Sequence, residues 1–158
     1  MFTSMMHIAF FTDQMDEMLD FYVNKLGAEI KVLTRYKSYL NRPDRPDKQE
    51  IARKDPERIF NVYLQLAQGQ FIELFPKKEG QKDAEEPNSH LGYSHYALLV
   101  DDIFETRRKL EEKGCSFDTD ISKGPSETWQ MWMHDPDGNR FEIMQFTDKS
   151  YQVIGHAD

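Results

Sequence analysis

Short apolar runs of strand length alternate with amphipathic stretches, and the order of the two kinds of segment is repeated. Met5 to Phe11 is apolar except for His7. Thr12 or Asp13 can then cap a helix in which Met15, Met18, Leu19, Tyr22 and Leu26 recur at helical spacing, with Gly27 as its end. Glu29 to Tyr36 and Phe60 to Leu66 read as strands, and Gln68-Gly69-Gln70 turns the chain into Phe71 to Phe75, stopped by Pro76. The second round opens with a strand over Tyr93 to Val100. A capping box of Asp102 with Glu105 starts a helix that runs to Lys113 and closes on Gly114. Strands are predicted at Ser116 to Asp120, Thr128 to His134 and Arg140 to Phe146, the last two joined by the turn sequence Asp135-Pro136-Asp137-Gly138-Asn139.

The two rounds superpose by counting. His7 to Gly27 spans 20 positions and His95 to Gly114 spans 19. His7 to Glu73 is 66 positions and His95 to Glu142 is 47; the difference is about the length of the polar segment 41–58, which has no counterpart in the second round. The chain therefore reads as a single domain over 1–158 built of two diverged modules, 1–76 and 93–146, with a charged linker at 77–92 and a tail at 147–158. A duplicated unit buries its apolar face against its twin. The insert 41–58 is mixed in charge and is expected to be a solvated loop, with a lid or a dimer arm as its functional alternative.

Four polar residues interrupt the apolar strands: His7, Glu73, His95 and Glu142. Residues two apart share a strand face, so Glu73 lies with Phe71 and Phe75, Glu142 with Met144 and Phe146, and each histidine with its own apolar neighbours. The opposite faces are apolar too, so the strands should be covered on both sides, by helices on one and by cavity walls on the other. Buried polar groups need partners. A lone histidine or glutamate is ordinarily satisfied by a hydrogen bond, but equivalent placement in both modules favours His7, Glu73, His95 and Glu142 as ligands of one divalent ion, Ni, Co, Zn, Mn or Fe, at an open site rather than a structural zinc. His90, His134 and His156 lack such counterparts and read as linker, strand-end and tail residues. Trp129, Met131 and Trp132 could line a pocket or belong to the core.

Composition narrows the partners. The 158 residues are 39% apolar, enough for a core, and Asp+Glu exceed Lys+Arg by 28 to 20, a net charge of -8. With no basic stripe, nucleic acid and anionic membranes are poor partners. No stretch reaches the roughly 18 apolar residues of a membrane span, and the single Cys115 excludes an internal disulfide framework. A cytoplasmic protein is expected.

The His7 strand with Leu19-Asp20-Phe21-Tyr22 and Lys25-Leu26-Gly27, then Ile72-Glu73-Leu74, then the His95 strand with Val100-Asp101-Asp102, and the closing Asp135 to Glu142 segment together resemble the vicinal oxygen chelate superfamily, the group of glyoxalase I, extradiol dioxygenases, fosfomycin-resistance enzymes and bleomycin-binding proteins. The resemblance implies an α+β fold of two βαββ modules forming a cupped mixed sheet around one metal, commonly in a homodimer. A carboxylate at Glu73 and a histidine at His7 look most like a bacterial glyoxalase I. That implies a lyase or isomerase in which Glu142, with Glu73 as its counterpart, moves a proton between adjacent carbons of a small chelated substrate such as a 2-oxoaldehyde thiol hemithioacetal. The positions where glyoxalase I holds glutathione with arginine and asparagine carry Phe11 and Lys77, so the glutathione clamp is missing. Phe11, Phe71, Phe75, Lys77, Trp129, Met131 and Met144 are the expected pocket. The alternatives are an epimerase of acyl thioesters and a non-catalytic module that sequesters a small molecule.

Overall fold

The computed structural model describes residues 1–83, 88–89 and 91–157. It divides into two units, Met1–Lys82 and Asp83–Asp158. In the first, strand β1 (His7–Thr12) leads into helix α1 (Met15–Leu19), followed by β2 (Glu29–Arg35), helix α2 (Pro46–Lys54), β3 (Ile59–Ala67) and β4 (Gln70–Pro76). In the second, β5 (Tyr96–Leu99) and helix α3 (Ile103–Glu112) precede β6 (Ser122–Lys123), β7 (Trp129–His134), β8 (Arg140–Gln145) and a short helix α4 (Tyr151–Ile154).

Both units have one topology. The sheet orders are β1-β4-β3-β2 and β5-β8-β7-β6. The first strand of each pairs parallel with the last, and the remaining pairs are antiparallel. A parallel neighbour needs a crossover, which the helix after the first strand supplies. Each unit is thus a βαββ module with a mixed four-stranded sheet, as the pattern predicted.

One face of each sheet holds the core. Val62, Leu64, Ile72 and Leu74 are buried in the first unit, as are Met18 and Tyr22 of the helical segment; Met131, Met133, Phe141 and Ile143 are buried in the second, as are Ile103 and Leu110 of α3. The other face is buried only in part, with buried Glu73 and Glu142 beside open positions. Strand β1 alternates, leaving His7, Ala9 and Phe11 exposed, and Phe11 and Leu99 keep 44% and 60% of their surface in solvent.

Several local expectations change. Helix α1 is regular only to Leu19 and widens into a π-helical stretch, Asp20–Lys25, where Leu26 N–H donates to Phe21 carbonyl at 2.9 Å. Its cap is Gln14, whose N–H donates to Thr12 Oγ1 at 3.0 Å. The insert is not a loop: proline in the first turn and a Lys54 to Glu50 ion pair of 2.7 Å support α2. No strand forms over Ser116 to Asp120. Asp118 N–H reaches Trp132 carbonyl at 2.8 Å, but Trp132 N–H donates to the Thr119 side-chain oxygen at 3.1 Å, so a side chain takes the place of the ladder and the edge strand is β6. The tail is tied down by buried Ser150, whose hydroxyl bonds Thr128 at 2.9 Å and accepts from Thr147 N–H at 2.8 Å. His90 and the linker positions 84–87 lie outside the described residues.

Two caps match the sequence. Asp102 accepts from Glu105 N–H at 2.9 Å, while the Glu105 carboxylate turns to Arg108 rather than closing the box. Buried Asp135 organises the β7–β8 turn by accepting from Asp137 N–H, Asn139 N–H and Asn139 Nδ2 at 2.9 to 3.0 Å. Asp135→Ala would strand these donors, and urea unfolding should show a loss of about 3 kcal/mol, against about 1 kcal/mol for Asp102→Ala.

Candidate functional site

Strand register fixes the four polar residues. Ala9 pairs with Glu73 across β1 and β4, and Ala97 pairs with Glu142 across β5 and β8. Each histidine therefore stands two residues before the position that faces its glutamate: His7 as the first residue of β1, on the Glu73 face, and His95 in the segment just before β5, which starts at Tyr96 rather than at the expected Tyr93. Side chains complete the match: His7 Nε2 lies 3.3 Å from Glu73 Oε2, and His95 Nε2 lies 3.9 Å from Glu142 Oε2. The carboxylates are buried, at 5% and 7% exposure, while the imidazoles are about one-third exposed. The other ring nitrogens are occupied, His95 Nδ1 by Ser94 Oγ at 3.0 Å and His7 Nδ1 by Met6 sulfur at 2.9 Å.

The two carboxylates have different surroundings. Glu73 Oε1 accepts from Asn61 Nδ2 at 2.7 Å. Tyr63 is paired with Glu73 across β3 and β4; burial first, and then the neighbouring Glu73 carboxylate, push the Tyr63 phenol up from its ordinary value. At the equivalent ladder position beside Glu142 stands Trp132, whose ring packs on His95 at 4.7 Å and carries the Arg140 guanidinium at 4.4 Å. Burial pushes the Glu142 carboxyl above the ordinary glutamate range, opposed in part by His95. Asn61 and Tyr63 carry no signal in the sequence, because their register on Glu73 depends on a shift between Gln65 and Ala67.

The expected pocket residues separate by face. Phe11, Phe71 and Phe75 share the Glu73 face, with Phe11 and Phe75 rings 5.4 Å apart. Met144 shares the Glu142 face, in register with Gln130 and Leu99. Trp129 and Met131 belong to the opposite, helix-covered face: Met131 is fully buried, and Trp129 packs on Phe104 of α3 at 5.5 Å. Trp132 is the tryptophan on the Glu142 face. Lys77 is engaged by Asp13, Nζ to Oδ2 at 3.2 Å. His134 Nδ1 donates to the Asp118 carboxylate at 2.7 Å, and His156 stacks on Tyr151.

The donor chemistry, two imidazole nitrogens and two carboxylates, fits a divalent transition metal. The structure presents it as two His–Glu pairs, one in each unit; among the described residues no group of three or more His, Cys, Asp or Glu side chains is gathered to hold a metal. Asn61 Oδ1, buried next to Glu73, has no hydrogen-bond partner among the described residues. A desolvated acceptor of this kind marks a place where a donor from bound solvent or ligand belongs.

Duplicated βαββ modules with a His–Glu pair at the same register define a paired-module fold, and comparison with known proteins agrees. The sequence profile of the Glyoxalase/Bleomycin resistance protein/Dioxygenase superfamily matches residues 4–143, and the chain belongs to that superfamily. Among solved structures it is similar to a glyoxalase family protein from Enterococcus faecalis (24% identity, TM-score 0.66, 90% of this chain and 98% of that one). It is also similar to lactoylglutathione lyase from Agrobacterium tumefaciens (17% identity, TM-score 0.59, 93% and 95%) and to a superfamily member from Sphaerobacter thermophilus (23%, 0.61, 92% and 98%). At these identities the likeness concerns the fold. No curated protein matches the chain in sequence.

Burial with no side-chain hydrogen bond among the described residues makes the Glu142 charge unfavourable in the metal-free protein. A raised folded-state pKa means stability is fully present below the ordinary glutamate value of about 4.3 and is lost as pH rises through the folded value. Glu142→Gln should therefore match the wild type in urea midpoint near pH 4 and exceed it at pH 7, measured in chelator.

Proposed function

We propose that this protein is a metal-dependent lyase or isomerase of glyoxalase I type, in which His7, Glu73, His95 and Glu142 hold one divalent ion. The observation that carries this reading is the repeated register: Ala9 faces Glu73 and Ala97 faces Glu142, with an imidazole Nε2 turned to a buried carboxylate in each case. When bound, the ion would supply Lewis-acid stabilisation of the negative charge that develops on a chelating substrate oxygen. Glu142 is the base. Its carboxyl is raised by desolvation, which suits a group that must take a proton from one carbon and return it to the next. Glu73 is fixed by Asn61 and serves as the anchored counterpart. Phe11, Phe71, Phe75 and Met144 give the substrate an apolar wall, in keeping with a small oxygenated molecule carrying an apolar part, such as a 2-oxoaldehyde hemithioacetal of a thiol other than glutathione.

Assembly as a homodimer is part of the same reading. Phe11 and Leu99 leave apolar surface in solvent on strands of the ligand-bearing faces, and a second copy would cover it. No helix among the described residues is long and apolar enough to cross a membrane.

Elemental analysis of protein purified without chelator or nickel resin should find about one divalent ion per chain, and His95→Ala or His7→Ala should remove it. Glu142→Gln should retain a more weakly held ion and lose on the order of 100-fold or more of proton-transfer rate, read with methylglyoxal and a panel of small thiols. Failure of the wild type to take up Ni, Co, Zn or Mn would favour a small-molecule binding module of the same fold.

A further inference from the structure

Glu73 and Glu142 occupy equivalent backbone positions, yet only one is clamped. Asn61 comes from β3, is 7% exposed, and spends its amide donor on Glu73 Oε1 at 2.7 Å. That leaves Glu73 Oε2 as the oxygen turned to His7 Nε2. The amide can serve in one orientation alone, since the flipped form would press its carbonyl oxygen against a carboxylate oxygen at the same distance. In the second module, the residue one ladder step from Glu142 in the same sense is Gln130, in register with Met144. Its side chain lies against Gly124, with Oε1 only 3.1 Å from where a Cβ would stand there. Trp132, opposite Glu142, carries a single ring N–H.

We propose that Asn61 is the positioning residue of the metal-binding set: it commits one Glu73 oxygen, so that Glu73 presents the other as a fixed, single-oxygen ligand, and it thereby leaves proton transfer to the unclamped Glu142. The proposal rests on the metal-binding reading above. Hydrogen bonds to ligating carboxylates hold their orientation, and losing one costs on the order of 10- to 100-fold in metal affinity or activity. The Tyr63 phenol stands at the ladder position paired with the same carboxylate, so the loss expected from Asn61 alone lies toward the lower part of that range.

The test is Co(II) titration of the full chain, followed by visible absorption and calorimetry, on the wild type, Asn61→Leu, Asn61→Ala and Gln130→Leu. Leucine has the branching of asparagine without a donor, and alanine removes the donor with no added bulk if leucine prevents folding. About tenfold weaker Co(II) binding in both Asn61 variants, with a changed absorption band and with Gln130→Leu unaltered, would support the assignment. Wild-type affinity and spectrum in either folded Asn61 variant would overturn it and leave the metal reading intact, as would equal weakening by Gln130→Leu. No Co(II) uptake by the wild type would overturn both.

Discussion

A carboxylate buried in the middle of an inner strand is the constraint around which each module is arranged. Glu73 lies on β4 between β1 and β3, and Glu142 on β8 between β5 and β7, so neither can escape to an edge. Desolvating an ionised carboxyl without partners costs several kcal/mol. The parallel neighbour answers with a histidine two residues before the facing alanine, and the small Ala9 and Ala97 leave room above the glutamate. Parallel pairing of the first and last strands is therefore more than topology. It brings a residue near the start of a module beside one near its end, 66 positions away in one case and 47 in the other.

The insert accounts for that difference in length, and it is joined to the same face. Tyr36, Tyr39 and Phe60 form a cluster with centroid separations of 5.0 to 6.1 Å, and Lys48 of α2 places its ammonium 4.5 Å over Phe60 and 4.9 Å over Tyr39. Phe60 in turn meets Phe75, and Phe75 meets Phe11. A cation–π contact of this kind contributes about 0.5 to 2 kcal/mol, enough to hold a nine-residue helix against an aromatic wall that reaches the Glu73 face.

Much of this was legible in the sequence, and the parts that were not have a common cause. Strand alternation, the Asp135 turn, the Asp102 cap and the module repeat depend on residues near one another or on simple counting. Asn61 depends on register across a hairpin. Counted outward from the Ala67 to Gln70 pair, Glu73 would face Leu64; a bulge between Gln65 and Ala67 shifts the ladder so that Tyr63 faces Glu73 instead. One extra residue turns every side chain beyond it to the other face, and nothing in Leu66-Ala67-Gln68 announces it. The missing strand at Ser116 to Asp120 has a similar origin, because a threonine hydroxyl can replace a ladder acceptor without changing the local pattern. The placement of Trp129 and Met131 was a different matter. Parity alone puts them with Met133, away from Trp132 and Glu142.

Duplication gave the two modules the same backbone solution, and the surrounding side chains then made it unequal. Beside Glu73 the chain places the Asn61 amide, which donates to one carboxylate oxygen and holds it, with the Tyr63 phenol at the paired ladder position. Beside Glu142 it places an indole face and a guanidinium stacked on that face, surroundings that desolvate the carboxyl without tethering it. On the proposed metal-binding reading, the two carboxylates can divide the duties of ligand and base only if their environments differ. A symmetric pair of modules would leave each glutamate equally suited, and equally ill suited, to both. The departure from symmetry lies in the side chains of β3 and β7, away from the two histidines and two glutamates themselves.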